Sequence, residues 1–232
     1  MLPGPLWVTT QRDFFYYPIQ MNRTTFLIDG FNLYHSLNDA CRHLRQGGIK
    51  WLNIHKLCNG YLRNITPRAT LEQIYYFSAF AYHRQRKDPQ VIRRHEFLIE
   101  CLKATGVNVE MGRFKAKKVY CNGCKTEATH YEEKETDVAI SVKLLELFHL
   151  DQCDTAVLVT GDTDLVPAIR AAFRLFPRKQ IYCLFPYGRK NNELAKIATG
   201  SFHISTDMYR SCQFDDPFVT PEGKRLRKPA SW

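Results

Sequence analysis

Apolar residues along this chain follow two periods. Short runs rich in β-branched and aromatic residues, at 25–29, 74–82, 107–112, 155–160 and 180–185, have the length of strands. Between them the apolar positions recur every three or four residues, as on one face of a helix. Leu33, Leu37, Ala40, Cys41 and Leu44 form such a stripe, and a second helix is predicted over 54–63. Val91, Ile92, His95, Leu98, Ile99 and Leu102 line a third, with Pro89 where a helix start tolerates it and Gly106 closing it. Thr136 can cap a fourth, with Val138, Val142, Leu145 and Phe148 facing inward; a fifth runs to Phe176 and a short sixth covers 191–198. Strands alternating with helices predict right-handed crossovers, hence a three-layer α/β/α fold on a mainly parallel five-stranded sheet. A short run at 202–204 would add a sixth strand at its edge. Residues 1–21 read as an extension, 22–211 as the domain, 113–134 as a long polar loop within it, and 212–232 as a flexible basic tail.

Composition narrows the class. Of 232 residues, 44% are hydrophobic, and 33 Lys and Arg stand against 23 Asp and Glu for a formal charge of +10. That is enough apolar material for one substantial core, and no uncharged stretch approaches the roughly 18 residues that cross a bilayer. The positive surplus favours a polyanionic partner without specifying one. The eight cysteines lie mostly inside apolar patterns and not in a disulfide framework, and the Met-Leu-Pro-Gly-Pro start shows no secretory pattern. A reducing, cytoplasmic setting is the expectation.

In an open parallel α/β sheet all strands point their carboxyl ends at one rim, where ligands bind. Here the loops at that rim carry Asp29 and Asn32 after the first strand, Asp162 and Asp164 after the fourth, and Asp137 at a helix start. Basic residues surround them: Arg84, Arg86 and Lys87 after the second strand, Lys115, Lys117 and Lys118 after the third, Arg189 and Lys190 after the fifth. Any one Asp is as well explained as a helix cap. Several carboxylates brought together in a partly dry cleft are costly unless a cation joins them, and oxygen ligands suit Mg²⁺ or Mn²⁺. Such a site activates water and stabilises charge on a phosphodiester, while basic loops hold flanking phosphates.

Three segments carry a resemblance: Phe26-Leu-Ile-Asp29-Gly-Phe-Asn32-Leu, Glu133-Lys-Glu-Thr136-Asp137-Val-Ala-Ile, and Val159-Thr-Gly161-Asp162-Thr-Asp164-Leu-Val-Pro167-Ala-Ile. In order and spacing they resemble the hallmark motifs of the NYN domain family within the PIN-like nuclease superfamily. The resemblance implies a metal-dependent endoribonuclease in which Asp29, Asp137, Asp162 and Asp164 bind Mg²⁺ or Mn²⁺, with Asn32 supporting the first. It also implies RNA as substrate and 5′-phosphate and 3′-hydroxyl products.

Rival readings fare worse or stay open. A haloacid-dehalogenase-type phosphatase needs an Asp two residues after the first, where Phe31 stands, and no Gly-x-Gly-x-x-Gly follows the first strand to bind a dinucleotide. A non-catalytic RNA-binding or partner-binding module is the alternative that chelation would separate, and a homodimer or a regulatory protein partner is compatible with either. Cys121 and Cys124 form a C-x-x-C that could hold structural Zn²⁺ if Cys101, His130 or Cys153 supplied further ligands, since four are required. His83, His95 and His203 read as packed or surface histidines.

Overall fold

The computed structural model describes residues 21–232 except 45–47, 122 and 124, with the backbone alone for Leu44 and Cys121. All but Met21 of the expected extension lies outside these residues. In chain order the larger elements are β1 (Asn22–Asp29), α1 (Gly30–Leu44), α2 (Ile54–Ile65), β2 (Ala69–Ser78), α3 (Val91–Ala104) and β3 (Asn108–Met111). They continue with β4 (Arg113–Cys121), β5 (Thr126–Lys134), α4 (Thr136–His149), β6 (Thr155–Val159), α5 (Val166–Leu175), β7 (Gln180–Phe185), α6 (Asn192–Ile197), β8 (Gly200–His203) and α7 (Thr206–Ser211). Two-residue strands β9 (Phe218–Val219) and β10 (Arg225–Leu226) close the chain.

Six strands form one sheet in the order β3-β2-β1-β6-β7-β8, every pairing parallel, so the short run near residue 202 is the sixth strand. Period-two alternation divides its side chains between two layers. Phe26 and Ile28 of β1 join Leu33, Leu37, Trp51 and Leu57 on one face; Leu27 joins Ile140, Leu144 and Ile169 on the other. The chain winds from β1 outward to β2 and β3, then returns to place β6 on the other flank of β1. The topological switch therefore falls between β1 and β6, where diverging connections open a crevice at the carboxyl rim.

Three segments differ from expectation. The inner face of α4 is Ile140, Leu144, Leu147 and Phe148, while Val138 and Val142 are 66% and 58% exposed. Glu135, with φ 81°, and not Thr136, is the cap. Apolar residues lie almost all round this helix, so periodicity could not choose between neighbouring stripes. The polar loop at 113–134 is an antiparallel hairpin of β4 and β5 in unbroken register from Arg113↔Lys134 to Cys121↔Thr126. Where a flexible tail was expected, Phe214 and Leu226 are buried, and Trp51 packs edge-on against Phe214 and Trp232. The run of Lys and Arg in that segment conceals the widely spaced apolar residues that anchor it.

Candidate active site

Asp29 ends β1 and is buried. Its Oδ1 accepts from the Asn32 backbone N–H at 2.9 Å and its Oδ2 from the Thr160 hydroxyl at 3.0 Å. Thr160 Oγ1 accepts in turn from the Asp162 N–H at 3.1 Å, while Asn32 Oδ1 accepts from the Gly161 N–H at 3.2 Å. These bonds tie the loop after β6 to the start of α1 across the switch point. A Cβ on Gly161 would lie 2.1 Å from the Arg189 carbonyl oxygen, so only glycine lets the loop after β7 press this close.

Carboxylate oxygens of Asp137, Asp162 and Asp164 lie within 4.8 Å of one another. Asp137 comes from the first turn of α4, and Asp162 caps a short 3₁₀ turn by accepting from the Asp164 N–H at 3.0 Å. Capping and cation binding are thus compatible, since one oxygen serves the turn. Burial, then repulsion from Asp162, Asp29 and Asp164, pushes Asp137 up to about 6. Asp29 is also raised by burial, opposed by its Asn32 and Thr160 donors, and stands outside the trio. Among the described residues no ion pair neutralises the trio. An all-oxygen donor set with uncompensated charge fits a hard divalent cation.

Two participants were not picked out from sequence. Glu133, four residues before Asp137, accepts from Thr136 Oγ1 at 2.5 Å; burial, with Asp29 and Asp137 adding repulsion, pushes it up to about 7. Thr160 links Asp29 to Asp162. The acidic spacing could have flagged Glu133, whereas nothing local marks one threonine at a strand end.

The basic residues scatter more than expected. Alternation on the hairpin puts Phe114, Tyr131 and Glu133 on one face and Lys115 and Lys117 on the other. Lys117 pairs with Glu132 at 3.0 Å, Lys118 with Glu127 at 3.3 Å, and Arg189 with Asp39 at 2.6 Å. Arg84, Arg86, Lys87 and Lys190 are exposed at the rim.

Of the proposed zinc ligands, Cys124 lies outside the described residues. Cys101 and Cys153 are buried in opposite core layers, their thiols pushed up by burial to about 12 and about 11, so they pack as hydrophobes. His130 is exposed on β5. His95, held down to about 4 by burial, lies 3.3 Å from Ser78 Oγ.

A family model described as NYN domain matches residues 23–206. Over 111 residues the chain is 32% identical to 6-hydroxy-3-succinoylpyridine 3-monooxygenase HspA of Pseudomonas putida, a match covering 46% of this chain and 35% of that protein. The matched stretch thus spans about a third of that relative's length. A crystal structure of a Vibrio parahaemolyticus protein of unknown function aligns with a TM-score of 0.52 at 17% identity, over 81% of this chain and 95% of that one, and shares the fold. No helix among the described residues is long and apolar enough to cross a membrane.

Proposed function

This chain belongs to the NYN domain family of the PIN-like nuclease superfamily, and from that premise we propose that it is a metal-dependent endoribonuclease working at the β1–β6 crevice. The observation that carries this reading is the convergence of Asp137, Asp162 and Asp164 within 4.8 Å, beside buried Asp29, with no cationic partner among the described residues.

Asp137, Asp162 and Asp164 would hold Mg²⁺ or Mn²⁺. When bound, such an ion polarises a phosphate and lowers the pKa of a coordinated water. Asp29 acts from behind: clamped by Asn32 and Thr160, it fixes the Asp162 loop and adds negative charge without turning toward solvent. Glu133, raised by burial and by the neighbouring carboxylates when the site is empty, is the acid beside the trio placed to take or give a proton. Arg84, Arg86, Lys87 and Lys190 would take flanking phosphates, a sequence-independent, salt-sensitive contribution. The setting proposed for this activity is the reducing cytoplasm, where the six described cysteines would stay as thiols.

Incubating the purified full chain with total RNA and Mn²⁺, with and without EDTA, tests the proposal. Cleavage that requires the metal and vanishes in Asp162→Asn is expected. RNA binding without cleavage under every metal condition would return the chain to a non-catalytic binding module, and cleavage that survives chelation and Asp162→Asn would place the chemistry elsewhere.

A further inference from the structure

Beside Gly30 and Phe31, which follow Asp29, lies a cavity of about 250 Å³; of its lining only Arg84 enters the chemistry above, and its aromatic walls are left unused. Phe31 and Tyr34 of α1, Tyr76 of β2, His83 of the turn after β2, Phe114 of β4 and Tyr131 of β5 line it. Their rings are ordered against one another. Tyr131 stacks on His83 at 4.3 Å and 8°, Phe114 meets His83 edge-on at 4.6 Å, and Phe31 meets Phe114 edge-on at 5.1 Å.

A small apolar gap beneath a hairpin is the plain alternative. Two observations weigh against it. Tyr131 remains 46% exposed despite its stack, so it sits at the mouth of the cavity and not in a sealed core. The walls also carry polar groups suited to a ligand's edge: His83 Nδ1 is buried with no hydrogen bond among the described residues, and the Ser78–His95 pair lines the interior. The volume is below the roughly 300 to 1,000 Å³ of drug-sized pockets, which suits one flat ring system.

Position connects the cavity to the proposed chemistry. Gly30 and Phe31 directly follow Asp29, and Glu133 lies two residues beyond Tyr131 on the same face of β5. We infer that this cavity receives one unstacked nucleobase of a single-stranded RNA, the base neighbouring the phosphate at the acid cluster, held by aromatic contact and by a hydrogen bond to His83. Such side chains stack every base on its π-face, and an unpaired base is the kind that can enter. The inference rests on RNA as the substrate. It adds a preference for single strands that the acid cluster cannot supply.

The test uses the full chain carrying Asp162→Asn, so that probes survive. One probe is a short single-stranded oligoadenylate; the other is an abasic ribose-phosphate oligomer of equal length. The oligoadenylate should bind about tenfold more tightly, within the range measured for stacking of one base on an aromatic side chain. Tyr131→Ala and, independently, His83→Ala should erase most of that difference while leaving abasic affinity unchanged, and Tyr131→Trp should preserve it. Tyr131 is half exposed on a hairpin, so its loss should not unfold the chain. Equal affinity of the parent for both probes overturns the pocket, as does an equal loss for both probes in the variants or competition by free adenosine at the oligomer's affinity. If the unsubstituted chain still shows metal-dependent RNA cleavage, only the pocket falls; if neither probe binds, the RNA reading falls with it.

Discussion

Replacing Asp137 by Asn should stabilise the metal-free protein while abolishing the proposed RNA cleavage, with an effect on stability that depends on pH. The carboxyl is raised from 3.8 to about 6, so the folded state holds a proton more tightly than the unfolded chain. Stability from such a group is present at low pH and is lost as pH rises through the folded value. A displacement of about two units corresponds to roughly 3 kcal/mol; solvent access at this half-buried site halves that to about 1.5 kcal/mol. Asn also forfeits a favourable interaction of about 0.5 kcal/mol with the amino terminus of α4. The variant should therefore gain about 1 kcal/mol at pH 8, or about 2–4 °C in Tm for a chain of this size. The gain should shrink below pH 6, leaving only a small residue at pH 4, where the folded carboxyl is protonated and the unfolded one, at 3.8, about half so. Measuring the difference between the two proteins cancels titrations that Asp137 does not influence, including that of buried His95, which acts in the opposite direction, while Glu133, relieved of one repulsion, adds to the gain. Thermal melts in EDTA from pH 4 to 8 provide the data, and Mn²⁺ at pH 8 should reverse the order by stabilising the unsubstituted protein alone. A variant less stable than the parent at pH 8 in EDTA would refute the claim that burial and the neighbouring carboxylates make the Asp137 charge costly without a cation.

Thr160→Val removes the hydroxyl that joins Asp29 to the Asp162 N–H; a loss of about 2 kcal/mol by denaturant titration is expected, with weaker Mn²⁺ binding by calorimetry. Gly161→Ala places a methyl 2.1 Å from the Arg189 carbonyl, so the two rim loops must part, lowering stability by about 1–3 kcal/mol and activity more steeply. Phe214→Ala should cost about 3–5 kcal/mol, because this buried ring packs on Trp51; an unchanged Tm would show the terminal segment to be dispensable.

The chain's own pattern determined the layered architecture and the order of its parts. Runs such as 180–185 and the stripe at Ile92, Ile99 and Leu102 specify element type through short-range periodicity, which needs no knowledge of neighbours. The acids were visible for a related reason: a parallel sheet sends every strand's carboxyl end to one rim, so Asp29 and Asp162 had to lie near each other. Periodicity failed where two faces were equally apolar, as in α4, and where charge masked sparse anchors such as Phe214 and Leu226. Everything that depended on pairing across long separations was decided by the tertiary structure. The placement of β6 against β1 brought Thr160 onto Asp29 across 131 positions of sequence. Hairpin register turned Lys115 and Lys117 away from the face that presents Glu133 and Tyr131. A one-residue slip would exchange those faces with almost no change in local propensity. The contacts that hold the hairpin against α1 and the turn after β2, Phe114 on Phe31 and Phe114 on His83, therefore select which of its side chains attend the site.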